Sequence, residues 1–294
     1  MTTLDPITDL AIPALVWLLM LVVGLELTPS DFRRVLVYPR AVAVATLGQI
    51  LLLPVCAALL IWAARPEPWV VAGMILLAAS PGGAISNLYS YLLRANVALS
   101  VTLTALSTLL AMVTMPALTT AGFSLFLQES HRVVAPVGRM IGQLGLMMLL
   151  PVALGMTLRS WQPGRVAAAR RPLRVLSLAA LACLVTLILI DERHGLLAAV
   201  GAALPIALPF CILTMTAGFL LGALAGLNPA DRFTLLIEFG TRNLGLVAIM
   251  GALILGEVKL VLFAALVFLV ELPLILLLIT MRSRLLGDQN RTPA

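Results

Sequence analysis

Two short stretches hold the residues with chemistry in them. The first, SPGGAISNLYSYLL from Ser80, sets Ser86 and Asn87 just past a proline and two glycines, inside an apolar run. The second, EFGTRNLG from Glu238, carries Arg242 and Asn243 inside another. Proline and glycine interrupt a helix, and unwound backbone in hydrocarbon leaves N–H and C=O groups unpartnered, at several kcal/mol each. A break is tolerated where it lines a polar cavity or meets an ion. Freed carbonyls and nearby hydroxyls coordinate a cation, and the exposed N-terminus of the following half-helix favours an anion. A single break reads equally well as a kink whose polar residues satisfy local backbone. Two breaks at matching places, each with an asparagine, point to a binding site.

The elements that must position these residues follow from composition. Of 294 residues, 62% are hydrophobic and 11% charged, with mean hydropathy +1.11, which is an integral membrane composition. At about 20 apolar residues per bilayer crossing, the chain divides into nine segments: 9–27, 40–63, 69–93, 96–125, 134–159, 173–190, 196–226, 230–255 and 258–281. Seven read as continuous helices, and two are broken, at SPGG and around EFGTRNLG. Connections such as ARPEPW, DERHG and LNPAD leave no room for a second, soluble domain. The opening MTTLDPITDL has no basic start, and LTPSDFRR follows where a cleavage site would stand, so the first segment reads as a retained helix.

Charge sets the orientation. With the N-terminus outside, thirteen arginines fall on the inner side, and five basic residues (Arg65, Arg132, Arg139, Arg193 and Lys259) on the outer. Arg242 stays within the membrane. The positive-inside rule then predicts a plasma (inner) membrane protein with a cytoplasmic C-terminus. The net charge of +6 is topological and not a nucleic-acid footprint. Each broken segment is third in a run of four, starting at residues 9 and 173, with 134–159 left between. The second run therefore enters from the opposite side, the pattern of an inverted-topology repeat whose discontinuous helices meet at the midplane.

These residues resemble the bile acid:sodium symporter family, bacterial branch included, over nearly the whole chain. GLELTPSDFRR is similar to its first loop, and Gln49 in GQILLLP to the polar residue of its next helix. SPGGAISNLYSYLLRANVALSVTLTALSTLLA resembles its P-G-G-x-x-S-N signature and the helix that follows. IEFGTRNLGLVA resembles its E-x-G-x-Q-N signature, with Arg242 where the family has glutamine. The resemblance implies an all-α single transporter unit in a nine-span version. A core domain (approximately 40–125 and 196–281) would hold two crossing broken helices, and a panel domain (approximately 9–27 and 134–190) would pack beside it.

Carried over by position, the first sodium site falls on Ser86, Asn87, Ser100, Thr104 and Glu238. Ser100 and Thr104 are an i, i+4 pair on one helix face, and hard oxygens with one carboxylate suit a small monovalent cation. Interhelical packing is the other reading of that pair. The second site falls on Gln49, Glu238 and Arg242, and there the chemistry changes. Glutamine offers a carbonyl oxygen, whereas arginine has five donors and no acceptor. The expectation is that the Arg242 guanidinium pairs with the Glu238 carboxylate, supported by Gln49, and stands in for an ion. Coupling then needs at most one sodium, or runs on protons, or is absent. The substrate is expected to be a small organic carboxylate, with Asn243, Ala84 and Glu271 on its side of the site.

The remaining polar residues fill out the picture. Glu26, near an inner helix end, reads as a cap or a snorkelling side chain. His131 and His194 fall in outer loops, far apart in sequence. Cys56, Cys183 and Cys211 lie in apolar runs without C-x-x-C spacing and read as helix packing. No phosphate-binding loop, nucleophile elbow or zinc motif is present, so an enzyme is not expected. Other membrane functions call for other residues. A channel or sensor would need a continuous polar lining, a cation/proton antiporter paired midplane aspartates, and a related arsenite exporter a cysteine near the first break.

Overall fold

The computed structural model describes residues 10–127, 137–191, 193 and 196–289. His131 and His194 lie outside them. The described residues form an all-α structure: α1 (Ile12–Glu26), α2 (Pro29–Arg33), α3 (Pro39–Ala64), α4 (Pro68–Ala79), α5 (Ile85–Leu92), α6 (Val97–Phe126), α7 (Val137–Leu144), α8 (Leu150–Trp161), α9 (Pro163–Ala168), α10 (Arg170–Asp191), α11 (Leu196–Leu224), α12 (Pro229–Gly240), α13 (Leu244–Ala248) and α14 (Lys259–Gln289).

Six helical stretches are long and apolar enough to cross a membrane, or seven if α1 and the bent segment after it are one. That is fewer than the nine segments read from hydropathy, because α1 has only 15 residues and two other segments are broken. Segment 69–93 is divided into α4 and α5, and segment 230–255 into α12, α13 and a π-helical stretch, Ile249–Ile254, so no piece alone reaches a span's length. Segment 134–159, expected to be continuous, contains a π-helical stretch at Gly145–Leu149. Pro151, just beyond it, has no N–H to give to an ordinary helical turn.

Side chains face outward as lipid contact requires. Leu197 is 91% exposed and Trp62 76%, while Ser80 and Ser86 of the first break and Thr241, Arg242 and Asn243 of the second are buried. One group of packed helices is α3, α4, α6, α11, α12 and α14; α1 lies along α8 and α10. The α1–α8 contact depends on two glycines. A Cβ on Gly24 would strike the backbone of Val152, and one on Gly155 would strike that of Leu21 and Gly24. Without those methyls the two backbones touch, which is how membrane helices gain packing when lipid removes the hydrophobic drive.

Candidate functional site

The two breaks satisfy each other. Helix α4 ends at Ala79, where Ser80 turns extended and Pro81 removes the next N–H. Helix α12 ends at Gly240, and Thr241 turns extended. The two unwound strands then pair antiparallel: Gly83 N–H donates to the Thr241 carbonyl at 3.1 Å, and Asn243 N–H to that of Pro81 at 3.0 Å. Gly82 N–H donates to Ser107 Oγ at 3.2 Å. Groups that hydrocarbon would leave orphaned thus find partners across the crossing.

Glu238, on the last turn of α12, projects its carboxylate from this crossing towards α5 and α6. Its Oε1 accepts from Ser86 Oγ at 2.5 Å, Ser100 Oγ at 2.6 Å and Thr104 Oγ1 at 3.3 Å. Ser100 Oγ also lies 3.0 Å from Asn87 Oδ1. Ser86, Ser100, Thr104 and Glu238 are buried. Five residues named from sequence therefore share one polar knot, drawn from three helices and spanning 152 positions between Ser86 and Glu238. Three hydroxyl oxygens, an amide carbonyl and a carboxylate are a donor set fitted to a hard monovalent cation. Gly82 guards the knot, since a Cβ there would sit 2.6 Å from Glu238 Oε2.

Arg242 corrects an expectation. Its guanidinium makes no ion pair with the Glu238 carboxylate; it donates to two main-chain carbonyls, Glu238 at 3.0 Å and Ser80. The backbone turns extended at Thr241, which throws the side chain back along the carbonyl end of α12. A cation there meets the unpaired C=O groups and negative dipole ends of both α4 and α12. Gln49 does not bond to it. Gln49 and Arg242 line one small cavity with Ser80, Pro81 and Ser107, and both the Gln49 amide and Arg242 Nε are buried without hydrogen-bond partners among the described residues.

On the other face of the crossing lies a cavity of about 690 Å³, lined by Ala84, Asn87, Arg242 and Asn243 at one part and by Met20 and Phe268 among its apolar residues. Asn243 Oδ1 caps α13 by accepting Leu246 N–H at 3.1 Å, leaving Nδ2 with only the Met20 sulfur at 4.0 Å. Glu26, Asp31, Arg34, Arg159 and Arg174 also line this cavity. Arg159 donates to the carbonyls of Leu25 and Glu26 at 3.0 and 2.5 Å, tying α8 to the end of α1.

Glu271 requires a second correction. It does not line the large cavity. Its carboxyl, 2% exposed, accepts from the Thr241 hydroxyl. Helix α14 is apolar on every side, so sequence periodicity gives no face to such a residue. Sequence reasoning also passed over a part-buried latch between α12 and the start of α6. Asp231 accepts from Asn96 Nδ2 at 2.8 Å and Asn228 Nδ2 at 2.7 Å, while Thr234 Oγ1 takes Asn96 N–H at 2.9 Å. Its signal was present in LNPAD, a capping asparagine before proline with an acid three residues on.

With this geometry in hand, similarity to known proteins is informative. A family model described as the sodium bile acid symporter family matches residues 13–199, which include the first break. The probable chloroplastic sodium/metabolite cotransporter BASS1 of rice is 29% identical over 227 residues, 76% of this chain and 54% of that one. The uncharacterized sodium-dependent transporter YocS of Bacillus subtilis is 28% identical over 229 residues, 78% and 70%. The probable cotransporter BASS2 of rice reaches 41% over 101 residues, 34% and 24%. The chain spans about half the length of the plant BASS1 relatives it matches. By family and by name these are transporters, not enzymes, and this chain belongs to the sodium bile acid symporter family.

Proposed function

We propose that this chain is a secondary transporter of a small organic carboxylate, coupled to at most one sodium ion and working by alternating access. The observation that carries the reading is the oxygen knot. Ser86, Asn87, Ser100 and Thr104 gather around the buried Glu238 carboxylate, one crossing away from a metabolite-sized cavity. Sodium would bind in the knot. Filling it neutralises Glu238 and releases the three hydroxyls from hydrogen bonding the acid, so ion binding and the shape of the crossing are linked. The carboxylate would meet the Asn243 amide, whose Nδ2 has no stronger partner than a thioether. Ala84 and Asn87 line the same cavity.

In this reading the nine apolar segments are nine spans, the two broken ones belonging to inverted repeats that cross at the midplane. The helices packed around α4 and α12 form the core, and α1, α7, α8 and α10 the panel. The membrane is the plasma (inner) membrane, with the N-terminus outside. Uptake of a panel of small carboxylates into proteoliposomes, with and without an inward sodium gradient, tests it. Sodium-stimulated uptake of at least one carboxylate is expected; no uptake under either condition sinks the proposal. Arg242 supports one variant. Its guanidinium occupies carbonyls that a second cation would need, which favours proton-coupled or uncoupled movement if the sodium gradient has no effect.

A further inference from the structure

The crossing holds two buried acids, and only one of them is provided for. Glu238 has three hydroxyl donors, with the Arg242 guanidinium on its own main-chain carbonyl. Glu271 has one, Thr241 Oγ1, and no lysine, arginine or histidine among the described residues pairs with it. The titratable groups near enough to interact with it are Tyr89 on α5 and Cys211 on α11, a phenol and a thiol that are ordinarily neutral at pH 7. Around them pack Met215, Leu236, Ile237 and Ile275. The Tyr89 hydroxyl is buried with no hydrogen-bond partner. A carboxylate in such surroundings, with a single donor and no cation, is among the costliest groups a membrane protein can bury.

We infer that Glu271 is a proton-binding site, its carboxyl carrying one proton while Thr241 holds it behind the crossing. The proton comes from water and sits on the oxygen that does not take the Thr241 hydroxyl; it returns to water on release, and no heavy-atom bond changes. Release is tied to the crossing because Thr241 has two attachments. Its hydroxyl holds Glu271 on α14, and its main-chain carbonyl takes Gly83 N–H from the other break. Movement of the two breaks therefore disturbs the carboxyl and lets water reach it. Acid favours the packed crossing, and alkali favours its rearrangement.

Infrared difference spectroscopy tests this on the full chain reconstituted in phosphatidylethanolamine–phosphatidylglycerol vesicles, in choline chloride without sodium or substrate. At neutral pH a protonated-carboxyl C=O band, shifted by deuterium exchange, is expected. It should vanish in Glu271→Gln, persist in Glu238→Gln and change position in Thr241→Val. A band that survives Glu271→Gln, or no such band in the wild-type chain, overturns the assignment. Should Glu271→Gln fail to fold, Thr241→Val decides alone: a moved band supports the site and an unmoved one refutes it. Since neither sodium nor carboxylate takes part, the result is separable from the success or failure of the transport reading.

Discussion

At the residue scale, the site turns on how one carboxylate is served. Hydrogen bonds to an ionised group contribute about 1.5–3 kcal/mol each, and Glu238 collects several inside a site closed to water. Ser100→Ala removes one hydroxyl that serves both Glu238 and Asn87. We expect it to weaken sodium binding about tenfold, roughly 1.4 kcal/mol, read as a smaller sodium-induced rise in melting temperature. Glu238→Gln should abolish that rise. Arg242→Gln returns two carbonyls to the crossing and adds a third oxygen, so the Hill slope for sodium should move from near one towards two. An unchanged slope would mean the guanidinium occupies no cation's place. Ser86, Asn87 and Glu238 were legible because P-G-G-x-x-S-N and E-x-G carry them as a local pattern, and Ser100 and Thr104 because i, i+4 spacing sets them on one helix face. The partner of Arg242 was not, because i, i+4 spacing describes a helix and the backbone leaves the helix at Thr241.

At the element scale, the breaks could be read from proline and glycine alone, but not the way they join. Proline and glycine say where a helix stops. Which two extended strands pair, and in which register, depends on side chains 160 positions apart settling on one arrangement. Gly82 sits in that pairing with its α-carbon against the Glu238 carboxylate. Gly82→Ala sets a methyl against Glu238 Oε2, so sodium binding should fall at least tenfold while circular dichroism stays unchanged. Preserved sodium affinity would show that the knot has slack the structure does not suggest. The latch at the far end of α12 predicts a different phenotype. Asn228 caps the helix through Asp231 N–H at 2.9 Å, and Asn228→Ala should cost about 1 kcal/mol of stability. Its melting temperature should drop with the sodium-induced increment intact, separating positioning from binding.

At the scale of the whole molecule, hydropathy was a better guide to segments than to spans, because a broken helix is apolar enough to be counted but too short to cross in one piece. Charge supplies what hydropathy lacks. The cavity opens among Thr28, Ser30, Arg34, Arg159, Pro163 and Arg174, which the positive-inside rule assigns to the cytoplasm. In the proposed orientation this shape would face inward, and labelling can check both statements in one experiment. In a background without Cys56, Cys183 and Cys211, a membrane-impermeant maleimide added to whole cells should modify Glu67→Cys and Glu257→Cys, both exposed positions. It should leave Ser30→Cys and Gly164→Cys untouched until the membrane is opened. Ala84→Cys, deep in the cavity, reports on alternation: in sodium-free vesicles it should react only from the cytoplasmic face. Simultaneous reactivity from both faces would make the cavity a pore, and the reverse pattern at Ser30 and Glu67 would invert the whole topology.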